Sequence, residues 1–189
     1  DLRKAGEAAV REGNLAGLMT AFDTADSLAA HAGALDPKWL DPLVLRAQLA
    51  YRRSYFLGGQ GDNDGASRWI DEGLARVALA FGVAPNNPDA FEVRGNLRYW
   101  RWLLQLVRDD ARASAPLLDA QKDLETATRI NPNQAGAHAT LSHLYNQTKT
   151  TVDVILAARQ ALGADAFLGN ADVITQRLFF ATYDQGQFP

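Results

Sequence analysis

Between residues 135 and 147 the sequence AGAHATLSHLYNQ places Leu141, Leu144 and Tyr145 on one face, at spacings of three and four. That is the period of an amphipathic helix. The next segment, TVDVILAARQALGAD, sets Ile155, Ala158, Ala161 and Leu162 on a single stripe, and alanines at a contact let two helices approach closely. Upstream, LLDAQKDLETATRI repeats the pattern with Ala120, Leu124, Ala127 and Ile130, then stops at Asn131-Pro132-Asn133. Proline lacks the amide N–H a helix needs and drives the residue before it out of the helical region. The same stop recurs at Pro37 in ALDPKW and at Pro85 and Pro88 in VAPNNPDAF. No apolar/polar alternation of the strand type stands out, so the chain is expected to be all-α.

The stops are spaced in a way that suggests repeats. Pro37 to Pro85 is 48 residues, Pro85 to Pro132 is 47, and Pro132 to Ala166 is 34, the last being the length of a tetratricopeptide (TPR) unit. Residues 133–166 resemble that family through Leu141, Ser142, Tyr145, Ala161 and Leu162, with Val154 in place of the usual first alanine and Ala166 in place of the proline. Ala120, Ala127 and Pro132 fit the second helix of the preceding repeat, Phe91, Gly95 and Asn96 its first helix, and Gly73, Ala80 and Pro85 the second helix before that. The resemblance implies a TPR-like α-α superhelix forming one domain over 1–189. Its hairpins would span about 1–35, 38–86, 88–131 and 133–166, with a partial one at 170–189. The two longer repeats are read as carrying insertions, one in the turn-rich stretch 57–65, the other between Gly95 and Ala120 through YWRWLLQLV and a loop RDDARASAP. Irregular repeats with GNLRYWRWL and LSHLYNQ are similar to the TPR regions appended to bacterial serine/threonine protein kinases, which implies a piece of a larger signalling protein.

Composition narrows the function classes. With 47% hydrophobic and 22% charged residues the chain is globular, and its net charge of −3 is unlike that of a dedicated nucleic-acid binder, which needs an excess of Lys and Arg. It has no cysteine, so disulfides and thiolate metal sites are excluded, and either a cytoplasmic or an extracytoplasmic setting is compatible with the chain. No apolar run approaches the length of a membrane span. His138 and His143, five apart, do not share the i, i+4 face of a metal-binding pair. No phosphate loop or nucleophile–base motif is visible, so no enzyme activity, cofactor or metal is expected. The stretch from Gln60 to Gly65, with Asp71, has the spacing of a calcium loop, but Gln stands first and Asp twelfth. It is read instead as a turn before a helix capped by Asp64 or Ser67.

In TPR proteins the first helices line a groove, and the resemblance therefore directs attention to the polar and aromatic residues those helices carry. Here they are Arg46 and Arg53; Arg94, Asn96, Arg98, Tyr99 and Arg101; and His143 and Asn146. Arginines converging on one place suit a carboxylate, so a protein or peptide partner with an acidic or C-terminal segment is expected. Two alternatives stand beside it. In one the arginines pair with Asp89, Glu92, Asp109 and Asp110; in the other the tightly spaced Tyr99, Trp100 and Trp102 put at least one ring in the core. Other readings of the whole chain are a homo-oligomerisation module, using Phe179 and Phe180 on a lone C-terminal helix, and a small-molecule sensor with a deep pocket.

Overall fold

In a computed structural model of the chain the described residues are 14–107, 114–148 and 150–186. Among them are eight α-helices and no strand: α1 (Leu15–Leu35), α2 (Leu40–Gly59), α3 (Asn63–Val83), α4 (Pro88–Val107), α5 (Ser114–Ile130), α6 (Ala135–Thr148), α7 (Thr151–Ala164) and α8 (Ala171–Asp184). The fold class is all-α, built of TPR-like antiparallel hairpins. Residues 1–13 of the first expected hairpin lie outside the described residues, as does most of the loop RDDARASAP before α5.

Two compact units divide the chain, 1–85 and 86–189. In the first, α2 packs on both α1 and α3. In the second, α4 pairs with α5 and α6 with α7, while α8 packs on α7; α4 also touches α6, and α6 touches α8. The first helices of successive hairpins thus form one layer of this unit, with the second helices behind them. Its core is small-residue-rich: Ala120, Leu124, Ala127, Ala137, Leu141, Leu144 and Ala157 are buried together with Tyr99. Ala158, Ala161 and Ile174 close the far end. Ile130 departs from the expected stripe because it falls in the last turn of α5, where it is 39% exposed.

Each hairpin boundary ends in the same way. The backbone N–H of Asp36, Ala84, Asn131 and Asp165 bonds to the carbonyl of Ala32, Ala80, Ala127 and Ala161 respectively. Three of these stop residues, Asp36, Ala84 and Asp165, have extended backbone. Where the stop is Asp36, Asn131 or Asp165, its side chain accepts from the N–H two residues on, a local turn that competes successfully with further helix. The next helix is then started by a polar cap at several points, Asn14 for α1, Asp62 for α3 and Asn87 for α4, each satisfying an otherwise orphaned N–H.

The enlarged first-unit hairpin differs from the sequence expectation. Leu57, Gly58 and Gly59 are helical, and only Gln60, Gly61 and Asp62 connect α2 to α3. The extra residues lengthen both helices instead of forming a long loop. The cap is Asp62, whose carboxylate accepts from Gly65 N at 2.8 Å; Ser67 bonds back to the Asn63 carbonyl, so neither it nor Asp64 plays that part.

Candidate functional site

The arginines singled out by the sequence are mostly committed to carboxylates, though not the expected ones. On α2, Arg46 donates to both oxygens of Asp26 on α1, at 3.0 and 3.3 Å. Arg76 on α3, which the sequence did not flag, joins the same carboxylate at 2.7 Å, and also reaches Glu72 and the Arg46 carbonyl. Arg53 pairs with Asp23 and lies 4.1 Å over the Trp69 ring, a favourable stack for a guanidinium. These groups tie α1, α2 and α3 together.

In the second unit, Asp123 on α5 is 3% exposed and accepts from Arg94 Nε at 2.9 Å, Arg94 Nη2 at 2.6 Å and Arg98 Nη1 at 2.6 Å. Arg94 and Arg98 are one turn apart on α4, so one buried carboxylate receives both. Asp89 and Glu92 are occupied elsewhere: Gln134 bonds Asp89, and the Glu92 carboxylate meets the start of α6, accepting from the Ala137 N–H. A Cβ at Gly136 would fall 2.2 Å from Glu92 Oε1, so glycine is what admits this cross-hairpin cap. Asp109 and Asp110 lie outside the described residues.

Asn96 and Tyr99 are buried, at 9% and 4%, and Tyr99 belongs to the core. They face inward because α4 turns this stripe towards α5 and α6. Trp102 stacks on Tyr99 with centroids 5.8 Å apart and is only partly buried. The His143 ring stands edge-on to Tyr99 at 5.4 Å, and Arg101 is half-buried. Asn146 is exposed one turn along from His143.

The residue the sequence missed here is Arg177 on α8. Its Nη1 donates to Ser142 Oγ at 2.7 Å, and its charge is felt by His143. Tyr99, His143 and Arg177 therefore come together from α4, α6 and α8, the three first helices of the unit. Position in the chain gives no signal for Arg177, because the pattern of the C-terminal helix is dominated by its aromatic face, Phe179 and Phe180.

No family model matches the sequence, and no curated protein does. Among solved structures, two crystal structures of MamA align over 98% and 96% of this chain and 81% and 85% of theirs, each at 13% identity and a TM-score of 0.49. A human IFIT1 structure aligns over 98% of this chain and 74% of its own, at 12% identity and a TM-score of 0.37. Likeness at this level carries no residue role across, so the site rests on the geometry of this chain.

Burial, and secondarily the Arg177 charge, hold the His143 imidazole down to about 4 from its ordinary value near 6.5. The folded state therefore favours the neutral ring. Its contribution to stability is present above pH 6.5 and is lost as the pH falls towards 4. Full burial would make the loss about 3 kcal/mol, and partial exposure of the ring reduces the expected loss to about 1–2 kcal/mol. Glu92 acts in the opposite direction, since burial raises its carboxyl and stabilisation from it is lost as the pH rises through its folded value. The distinguishing measurement is urea unfolding of wild type and His143→Gln at pH 7 and pH 4.5, where the variant is expected to lose less stability on acidification. Equal losses would remove His143 as the cause.

A cleft of about 420 Å³ in the first unit lies between the C-terminal ends of α1 and α3 and the start of α2, walled by Ala29, Gly33, Trp39, Pro42, Leu79 and Val83. Arg46 also lines it, already held by Asp26. Among the described residues no group of three or more His, Cys, Asp or Glu is placed to hold a metal ion, and no helix is long and apolar enough to cross a membrane.

Proposed function

We propose that the chain is a non-catalytic scaffold that holds an extended peptide or partner-protein segment across the layer formed by α4, α6 and α8. The observation that carries this reading is the convergence of Tyr99, His143 and Arg177 from three successive first helices, with Trp102 stacked on Tyr99 and exposed Asn146 one turn along from His143. A large aromatic, an imidazole, an arginine and a free amide together give the mixture of apolar anchor and directional polar groups that dominates recognition surfaces. The arginines Arg46, Arg53, Arg94 and Arg98 support the scaffold by pairing with Asp26, Asp23 and Asp123 across neighbouring helices. The resemblance of GNLRYWRWL and LSHLYNQ to kinase-associated TPR regions supports a place within a larger signalling protein.

The test is selection of binding peptides from a displayed random library, followed by NMR mapping on the whole chain. Shifts are expected to cluster at Trp102, His143, Asn146 and Arg177. Failure to select any peptide, or shifts confined to α5 and α7, would sink the reading. Substituting Arg94 and Arg98 together strips the counter-charges from Asp123 and is expected to perturb the fold.

A second reading is favoured by α8. Phe179, Phe180 and Tyr183 are 56%, 55% and 57% exposed and pack on one another, with centroids 5.6 and 6.4 Å apart. A contiguous exposed aromatic cluster of this kind suits association with a second copy. Light scattering is expected to show a dimer that Phe179→Ser with Phe180→Ser dissociates, and a concentration-independent monomer would exclude it.

A further inference from the structure

Arg177 stands apart from the other arginines of the core. Arg46, Arg53, Arg76, Arg94 and Arg98 are all partly or fully buried, and each rests on a carboxylate. Arg177 is half-buried as well, yet among the described residues its bonding is a single contact to the neutral Ser142 hydroxyl. That hydroxyl is fully buried and spends its own proton on the Ala139 carbonyl, so it acts as an anchor and supplies no charge. A guanidinium carries five N–H donors in a planar fork, and one neutral acceptor leaves most of that fork unused.

The surroundings do not compensate the charge. Burial lowers the Arg177 pKa, and the group that acts on it electrostatically is the Tyr99 hydroxyl, neutral at ordinary pH. His143, beside it, is kept neutral. A cation taken out of water without a counter-charge is costly, and an anion arriving at this place would recover that cost while meeting a preset donor array.

We propose that Arg177, anchored by Ser142 and flanked by His143 and Tyr99, is the receptor for a single oxyanion on the α4/α6/α8 layer. This rests on the reading of that layer as a capture face, with the oxyanion belonging to the bound segment. The planar fork fits a carboxylate bidentately and a phosphate nearly as well. These are two sources of one chemistry, and the experiment separates them.

The experiment is an NMR titration of the full chain with sodium acetate and, separately, with inorganic phosphate, at ionic strength held constant with chloride, following the His143 ring and the Arg177 side chain. Saturable shifts at both groups are expected, with the titration midpoint of His143 rising from about 4 once the anion offsets the neighbouring cation. Saturation by acetate alone assigns a carboxylate, and by phosphate alone a phosphate. Arg177→Gln is expected to weaken binding by about tenfold or more, and Arg177→Lys, which keeps the charge but not the fork, by about threefold to fivefold. Should Arg177→Gln fail to fold, the lysine variant and the wild-type titration still decide the matter. Absence of saturable shifts, or shifts unchanged in a folded Arg177 variant, overturns the proposal. A selected peptide that binds a folded Arg177→Gln chain as well as wild type would sink the oxyanion site and leave the scaffold standing. Anion binding without any captured peptide would do the reverse.

Discussion

Asp123→Ala is expected to lower the free energy of unfolding of the second unit by about 3 kcal/mol, one of the two largest single-residue effects anticipated here. The carboxylate is 3% exposed and takes three hydrogen bonds from Arg94 and Arg98. Removing it leaves two guanidinium groups facing each other across a vacated site, and their side chains are only 28% and 30% exposed. Partial escape to solvent keeps the expected loss at the low end of the range for broken buried pairs. Removing all three charges together, as Arg94→Met, Arg98→Leu and Asp123→Leu, is expected to recover most of the loss, because burying an ion triad gains little over packing alkyl groups. Urea unfolding followed by circular dichroism measures both, and a loss below about 1 kcal/mol for Asp123→Ala would mean that the arginines need no internal counter-charge.

Gly95→Val is expected to be comparably damaging, by about 2–3 kcal/mol, for a steric reason. A Cβ at Gly95 would lie 2.6 Å from Leu124 Cγ, 2.8 Å from its Cδ2 and 3.2 Å from the Ala120 carbonyl oxygen. Leu124 is fully buried, so its side chain can give way only by repacking the core around it. Gly95→Ala gains about 1 kcal/mol of helix propensity and should therefore lose only about 1 kcal/mol net. Combining Gly95→Ala with Leu124→Ala should cost clearly less than the two changes summed, since each relieves the other. Additive losses in thermal or urea unfolding would place the close contact elsewhere.

What was legible in the sequence followed from local chemistry. Asn131-Pro132 marked a helix end because proline cannot extend a helix, and Leu141 and Leu144 marked a buried face because their spacing matches the helical period. Gly95 was placed correctly as a small residue in a first helix, although its tight contact with Leu124 depends on a partner 29 residues away. The same distance hid the site chemistry. Arg94 and Arg98 have acids close by in sequence, Asp89 and Glu92, but helical geometry delivers them to Asp123 on the adjoining helix. Spacing also left open which of three neighbouring rings goes inside, and the answer, Tyr99, depends on where α6 sits. Arg177 escapes a sequence reading because its significance lies in a carboxylate that none of the described residues supplies, and a missing contact leaves no mark on a sequence.

The recurring helix stops bear on how such a chain changes length. The repeats ending at Ala80 and Ala127 exceed the 34-residue unit by 14 and 13 residues, and in the first of them the surplus is divided almost evenly, giving α2 and α3 lengths of 20 and 21 residues against 14 for both α6 and α7. The seven residues added to α3 come close to two whole turns, about 10 Å of added length, whereas the six added to α2 fall about 120° short of them. Growth in whole turns returns the stopping alanine to the same side of its helix, whereas a surplus of one or two residues would swing it by about 100° or 200°. The stop at Ala80 therefore keeps its side of the lengthened α3, and a deletion of seven residues from α3 should leave that stop in register, whereas a deletion of five or six should not.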